Sequence, residues 1–306
     1  GSGNNGADGF ALARLLHGDY NVAIFYVKEP KSPMAKLQRD RAHAIGVKST
    51  FELNKCDVLV DALYGTGFCR DFDNESQSLM QTINKLQAYK VACDIPSGIK
   101  QNGDCDKNTF KADITLTMGA LKKSMFSDAA KEYIGKIRLV NLGVSRNIYE
   151  GKTNWNLLDM DDLKLPLRAL HNTHKGTFGH LAILGGNKTG ASMLSGLSAL
   201  KFGTGLVTIV SNKQASDMPH SIMHSDVRPK NTTALAFGMG LGIDCDKTTL
   251  ATFLDGSFPI IADADIFYMD SIVDILLRKN VVITPHPKEF VSLLKIAGIA
   301  DITTEE

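Results

Sequence analysis

The sequence predicts an α/β protein of two domains, and three observations carry that prediction. Short β-branched runs alternate with stretches of helical length and periodicity along the chain. Several of the runs are near-continuously apolar, the pattern of strands covered on both faces. A polar segment, YEGKTNW followed by LLDMDDLKLP, interrupts the alternation and sets a boundary near Gly151, with one domain over 1–150 and the other over 151–306. The 306 residues are 43% hydrophobic and 22% charged, which excludes a disordered or fibrous chain and leaves apolar material for two cores.

The expected strands of the first half are Asn21–Val27, Asp57–Leu63, Lys90–Ile95, Asp113–Met118 and Ile137–Leu142. Helices are expected over Asp8–His17, Met34–Ile45 and Asn74–Ala88. Strand, helix, strand repeated in this way is the signature of a parallel sheet with crossover helices. In the second half, strands are expected at His180–Leu184, Leu206–Ser211, Ala234–Phe237, Ile260–Ala262 and Val281–Thr284. Helices should cover Gly190–Phe202, Thr248–Leu254 and Tyr268–Arg278, and a last one, Pro287–Ile296, opens on a proline suited to a first turn.

The 34 basic and 33 acidic residues nearly cancel, so no global field draws the chain to nucleic acid or to a membrane surface. Five scattered cysteines without a CxxC pair argue against a disulfide framework or a thiolate zinc site, and point to a reducing cytoplasm. No apolar run approaches the roughly 18 residues of a membrane span.

Chemistry concentrates where apolar strands end. The opening GSGNNGADGF carries Gly1, Gly3, Gly6 and Gly9, which allow positive φ and close backbone approach, and it leads into the first expected helix. Such a loop offers free amides to an anion such as a pyrophosphate, although the GxGxxG spacing is met without a preceding strand. VLVDALYGTGF delivers Asp61 and then a glycine loop, and VACDIPSG delivers Asp94, a proline turn and Ser97. Ligands of open α/β sheets bind at these carboxyl ends. Asn5, Asp61 and Ser97 together suit a hard cation, leaving Asp94 for proton transfer. A turn or a helix cap is the plainer reading of any one of them.

Together, GNNGADGFALARLL, DALYGTGF and DIPSG resemble the N-terminal domain of bifunctional NAD(P)H-hydrate repair enzymes, the NAD(P)HX epimerase family. The resemblance implies that Asn4, Asn5, Gly6, Ala7 and Asp8, with Gly65, Thr66, Gly67, Phe68, Cys69, Arg70 and Asp71, contact the hydrated dinucleotide. It implies potassium on Asn5, Asp61 and Ser97, and Asp94 as substrate-binding acid/base of epimerisation at C6. Ala7 stands where the family usually has glycine, which a negative φ should tolerate.

In the second half, KGTFGHLAILGG, GMGLG, DAD and TPHPKEF resemble the ribokinase-like dehydratase domain that follows the epimerase in bacterial enzymes. The fold implied is two three-layer α/β/α domains, Rossmann-like and then ribokinase-like. The implied chemistry uses Mg²⁺ with ADP or ATP to phosphorylate the C6 hydroxyl of the S-hydrate and eliminate phosphate. Ala191, Gly242 and His286 match the hydrate contacts. The implied partners are the small-molecule hydrate and further copies of the chain in a homo-oligomer, with no nucleic acid or membrane. Asp263 and Asp265 read either as a helix cap or as a Mg-nucleotide contact. The family's GxGD motif, which binds nucleotide phosphates and supplies a base, is expected beyond Glu306, and a helix and strand are expected ahead of Gly1. A ribokinase-like kinase of a sugar or vitamin, or a nucleotide-binding protein without turnover, are the alternatives.

Overall fold

The computed structural model describes residues 1–53, 55–169 and 171–300. It divides into two compact units, Gly1–Leu158 and Asp159–Glu306. Both are α/β, with every strand pairing parallel.

In the first unit, α1 (Asn4–Leu16), β1 (Ala23–Phe25), α2 (Pro33–Ala44) and β2 (Lys48–Thr50) form one group. Phe10, Ala7 and Ala13 of α1 pack on Ala35 and Ala42 of α2 and on Ile24 of β1. The second group runs β3 (Val58–Asp61), α3 (Asn74–Lys85), β4 (Tyr89–Cys93), β5 (Ile114–Met118), α4 (Lys131–Ile134) and β6 (Lys136–Val140). Its four strands lie in chain order, β3-β4-β5-β6, and α3 packs Met80 and Ile83 with Ala92 of β4 and Leu59 of β3. Asp73 caps α3 by accepting the Ser76 N–H at 2.8 Å.

Several expectations need correction here. The expected sheet is two sheets, because β1 pairs with β2, a short strand too polar to be read from KST, and not with β3. Continuous apolarity overstates burial at the edges of the larger sheet: Val58 and Val60 of β3 and Leu139 and Val140 of β6 are exposed. The first helix begins at Asn4, a turn earlier than expected, so Asn4–Asp8 is helix and not loop. None of Gly3, Gly6 and Gly9 takes positive φ. Close approach is what requires glycine at two of the three: a Cβ on Gly9 would meet Ala62 Cβ at 2.6 Å, and one on Gly6 would meet the Gly1 carbonyl oxygen at 1.9 Å, whereas one on Gly3 would meet nothing within 4 Å.

The second unit runs β7 (His180–Leu184), α5 (Thr189–Phe202), β8 (Leu206–Val210), β9 (Met223–Ser225), β10 (Ala234–Phe237), α6 (Lys247–Phe253), β11 (Ile260–Ala262), α7 (Ser271–Leu276), β12 (Val281–Ile283) and α8 (Pro287–Ile296). β9 carries no signal in the sequence because its three residues, Met-His-Ser, make no apolar run. The helix expected from Tyr268 starts later, at Ser271, because a five-residue 3₁₀ turn, Ala264–Tyr268, takes up its first position. Met269, in extended conformation, separates the two.

The sheet order is β12-β11-β10-β7-β8-β9. The chain starts in the middle at β7, winds out to β9, returns beside β7 as β10 and winds out the other way to β12. Both faces are covered. Leu181 and Ile183 of β7 point into the cluster that holds Met193 of α5, while Ala182 and Leu184 point into the one that holds Phe253 of α6, Ile272 of α7 and Leu293 of α8. This strict alternation on a fully buried strand is why HLAIL reads as continuously apolar. No described helix is long and apolar enough to cross a membrane.

Candidate functional site

Parallel register brings the carboxyl ends of β3, β4 and β5 side by side, with Asp61 opposite Ala92 and Cys93 opposite Leu116. Asp61 closes β3 and is 5% exposed. It accepts three bonds: from Leu63 N–H at 3.0 Å, from Ser97 N–H at 2.7 Å and from Ser97 Oγ at 2.8 Å. Burial pushes its carboxyl above the usual range, and the bonds from Ser97 and Leu63 oppose that. Ser97 Oγ also accepts the Tyr64 N–H at 2.9 Å and lies 3.4 Å from the Tyr64 carbonyl oxygen. That carbonyl takes the Asn5 Nδ2 donor at 2.9 Å, which carries the start of α1 to the same place. Asn5 Oδ1 is buried with no hydrogen-bond partner. Asn5, Asp61 and Ser97 therefore meet around the backbone of Tyr64, a residue that no motif singles out.

Asp94 follows β4 in the left-handed region, at φ +72°, uncommon for a residue with a side chain. Its N–H donates to Leu116 O at 2.9 Å, and its Oδ1 accepts the Met118 N–H at 3.1 Å and the ammonium of Lys122. Lys122 is absent from the residues expected from sequence. A signal for it exists: β5 is expected beside β4, and MGALKK places two lysines just after it. Asp8, half-buried on α1, has its carboxyl raised by burial and then by the charge of Asp94. Burial pushes the Cys93 thiol up to about 12, with the charges of Asp8, Asp94 and Asp61 adding to it. Three carboxylates thus act on one small region.

The loop after β3 closes this region. Gly65 lies against Asn5, where an added Cβ would stand 3.3 Å from Asn5 Cβ. Phe68 is buried in a triangle of tilted rings with Tyr64 and Phe72, at ring-centroid distances of 4.9 and 5.1 Å. It anchors the loop, while Thr66, Gly67, Cys69 and Arg70 are exposed and Asp71 pairs with Lys100 at 2.6 Å. A cavity of about 490 Å³ lies beside Cys69, lined also by Lys100, Gln101, Asn102 and Asp104. Asn4 and Asn5 open α1, which has no side-chain cap and no acidic residue in its first turn, so its first amides are available to an anion. Ala7 is helical and buried, so its φ is negative.

In the second unit the strand order reverses between β7 and β10, the switch point where open α/β sheets bind ligands. Gly238, Gly240 and Gly242 follow β10, all at positive φ, and a Cβ on Gly240 would meet the Lys188 carbonyl oxygen at 2.3 Å and Ala191 Cβ at 3.2 Å. Ala191, on the first turn of α5, and the Gly238–Gly242 loop are thereby brought together. Asp265 pins that loop by accepting the Gly242 N–H at 2.8 Å. Asp263 stands at the start of the 3₁₀ turn without a side-chain capping bond. His286 lies two strands away, after β12, and caps α8: its Nδ1 accepts the Glu289 N–H at 3.3 Å, and its Nε2 is 3.1 Å from Glu289 Oε1. Nδ1 is thus taken up by the cap. A cavity of about 610 Å³ opens at the carboxyl ends of β7 and β8, lined by Gly185, Gly186, Asn187 and Ser211–Asp217.

Among the described residues, no three or more His, Cys, Asp and Glu side chains gather as a metal centre. The oxygens about Tyr64 are of another kind, an amide, a carboxylate, a hydroxyl and a carbonyl, and that set is of the type hard cations take.

Two protein families match the chain, one per unit: YjeF-related protein N-terminus over residues 1–124, and NAD(P)H-hydrate dehydratase over residues 181–305. A bifunctional NAD(P)H-hydrate repair enzyme Nnr from Helicobacter pylori is 42% identical over 98% of this chain and 65% of its own length. Each unit of the chain is thus similar to one part of this two-domain family. Relatives of the same name are 31% identical in Coxiella burnetii, over 97% of this chain and 66% of that protein, and 32% identical in Dictyoglomus turgidum, over 94% and 64%. The chain therefore spans just under two thirds of the length of these repair-enzyme relatives.

Proposed function

We propose that the first unit interconverts the R and S forms of hydrated NADH and NADPH at C6 of the damaged ring, and that the second takes up the S form for an ADP- or ATP-dependent dehydration back to NAD(P)H. The observation that carries the first half is the unpartnered, buried Asn5 Oδ1, on an amide whose Nδ2 bonds the Tyr64 carbonyl that Ser97 Oγ, itself bonded to Asp61, also approaches, with Asp94 at the end of the neighbouring strand. A potassium ion fits that oxygen set, held by Asn5, Asp61 and Ser97. It would supply positive charge against the buried Asp61 and tie α1 to the loop after β3. Departure of the C6 hydroxyl as water consumes a proton, and addition of water to the opposite face returns one. A single carboxyl at Asp94 serves both directions. The first amides of α1 and the glycines of the loop after β3 offer donors for the pyrophosphate.

For the second unit the support is the meeting of Ala191 and the Gly238–Gly242 loop at the switch point. Mg²⁺ with ADP or ATP belongs to this part of the proposal, and so does His286 as a hydrate contact. Phosphoryl transfer rests on positioning and charge neutralisation, and no GxGD occurs in these 306 residues, so no residue here is assigned that step. A reducing, cytoplasmic setting is supported by five free cysteines. Self-association as a homo-oligomer completes the proposal and is read by light scattering.

The test is to give the chain a mixture of R and S hydrates in potassium buffer with Mg²⁺, with and without ADP, and follow all species by chromatography. R should convert to S faster than it does spontaneously, and Asp94→Asn should abolish the gain while hydrate binding persists. R persisting at its spontaneous rate overturns the epimerase reading. Loss of S without nucleotide overturns the dehydratase reading, and a stable phosphorylated product assigns a kinase instead.

A further inference from the structure

Asp94 is held from one side. Its Oδ1 carries the Met118 N–H and the Lys122 ammonium, and its Oδ2 has no partner among the described residues. The ammonium's other contacts are Thr117 Oγ1 at 2.7 Å and Met118 O at 2.9 Å, so its three donors are all taken up by the protein. The two side chains are only 20% and 17% exposed, which removes much of the screening that weakens surface ion pairs. The charged and titratable groups acting on the same region are Asp8 from α1, Cys93 from β4 and Asp61 from β3. Without a cation, Asp94 would face two other carboxylates from a backbone already in a sparsely populated conformation.

Resting on the hydrate interconversion proposed above, we infer that Lys122 is the positioning residue for Asp94: it fixes Oδ1 against Met118 and leaves Oδ2 as the oxygen that moves the proton. It touches no substrate, because none of its donors is free. A carboxylate anchored by one oxygen presents the other in a single direction, and loss of such orientation costs on the order of a hundredfold in rate.

The test compares Lys122→Met, Lys122→Gln and Lys122→Arg in the same chain. Lys122→Met should lower kcat for R-to-S conversion about a hundredfold with KM little changed, and Lys122→Arg should restore part of the loss. The Met118 amide resonance provides a reading independent of turnover: it should move in Lys122→Met, as it should in Asp94→Ala, which removes its acceptor, and stay close to wild type in Lys122→Arg. Lys122→Gln, which keeps a donor toward Met118 O without the charge, serves if Lys122→Met does not fold by circular dichroism. Unchanged kcat, a change confined to KM, or an unmoved Met118 resonance overturns the inference. A wild-type chain that leaves the hydrates at their spontaneous rate overturns the proposed function and with it this role in it, while the Met118 resonance still reports whether Lys122 holds Asp94.

Discussion

Burial and neighbouring charge separate the reactivity of the cysteines. Cys69 is exposed on the loop after β3, whereas the Cys93 thiol is pushed up to about 12 by burial and by three nearby carboxylates. At pH 8, iodoacetamide should therefore modify Cys69 within minutes and leave Cys93 unmodified until the chain is unfolded, as read by peptide mass spectrometry. Asp8 gives a pH dependence whose sign follows from its surroundings. Its carboxyl is raised above the ordinary 3.8, so the folded chain holds that proton more tightly than the unfolded chain. The associated stability is full below 3.8 and is lost as pH rises through the raised value. Asp8→Asn should accordingly melt higher than wild type at pH 7 and at the same temperature at pH 3, by differential scanning fluorimetry.

Glycine means different things in different helices, and the contacts around it decide which. In isolation an alanine at Gly9, inside α1, would favour the helix by up to about 1 kcal/mol. Yet its Cβ would meet Ala62 Cβ at 2.6 Å, so Gly9→Ala should cost about 1–3 kcal/mol in urea unfolding. Gly190, on the first turn of α5, has nothing within 4 Å of an added Cβ and does not take positive φ, so Gly190→Ala should gain up to about 1 kcal/mol. The same contrast explains what is legible in GSGNNGADGF. Its glycines do permit close approach, but positive φ is not the reason for them, and the helix starts inside the motif. Sequence carries the absence of a side chain, and only the packing shows which neighbour needs the space.

At the scale of the molecule, every described residue from 151 to 169 is exposed, and the boundary between the two units falls within that stretch. Brief trypsin treatment should cut first at Lys152, Lys164 or Arg168 and leave two fragments, each resistant for far longer, on a gel. A first cut within β7 or β4 would contradict the division.

Periodicity and strand-end motifs by themselves determined the α/β class and most strands and helices, because a buried parallel strand must be apolar throughout and a crossover helix must follow it. They also determined Asp61, Asp94, Ser97 and Asn5 as candidates, since a carboxylate at the end of an apolar strand is a local pattern. Tertiary structure decided the rest. Short polar strands such as β2 and β9 exist only because a neighbour offers them a ladder. Tyr64 contributes through its backbone, which has no residue signature, and Lys122 reaches Asp94 from 28 positions away because β4 and β5 lie side by side. Which oxygen is left without a partner, and which ammonium has none of its donors free, depends on distances that no spacing along the chain encodes.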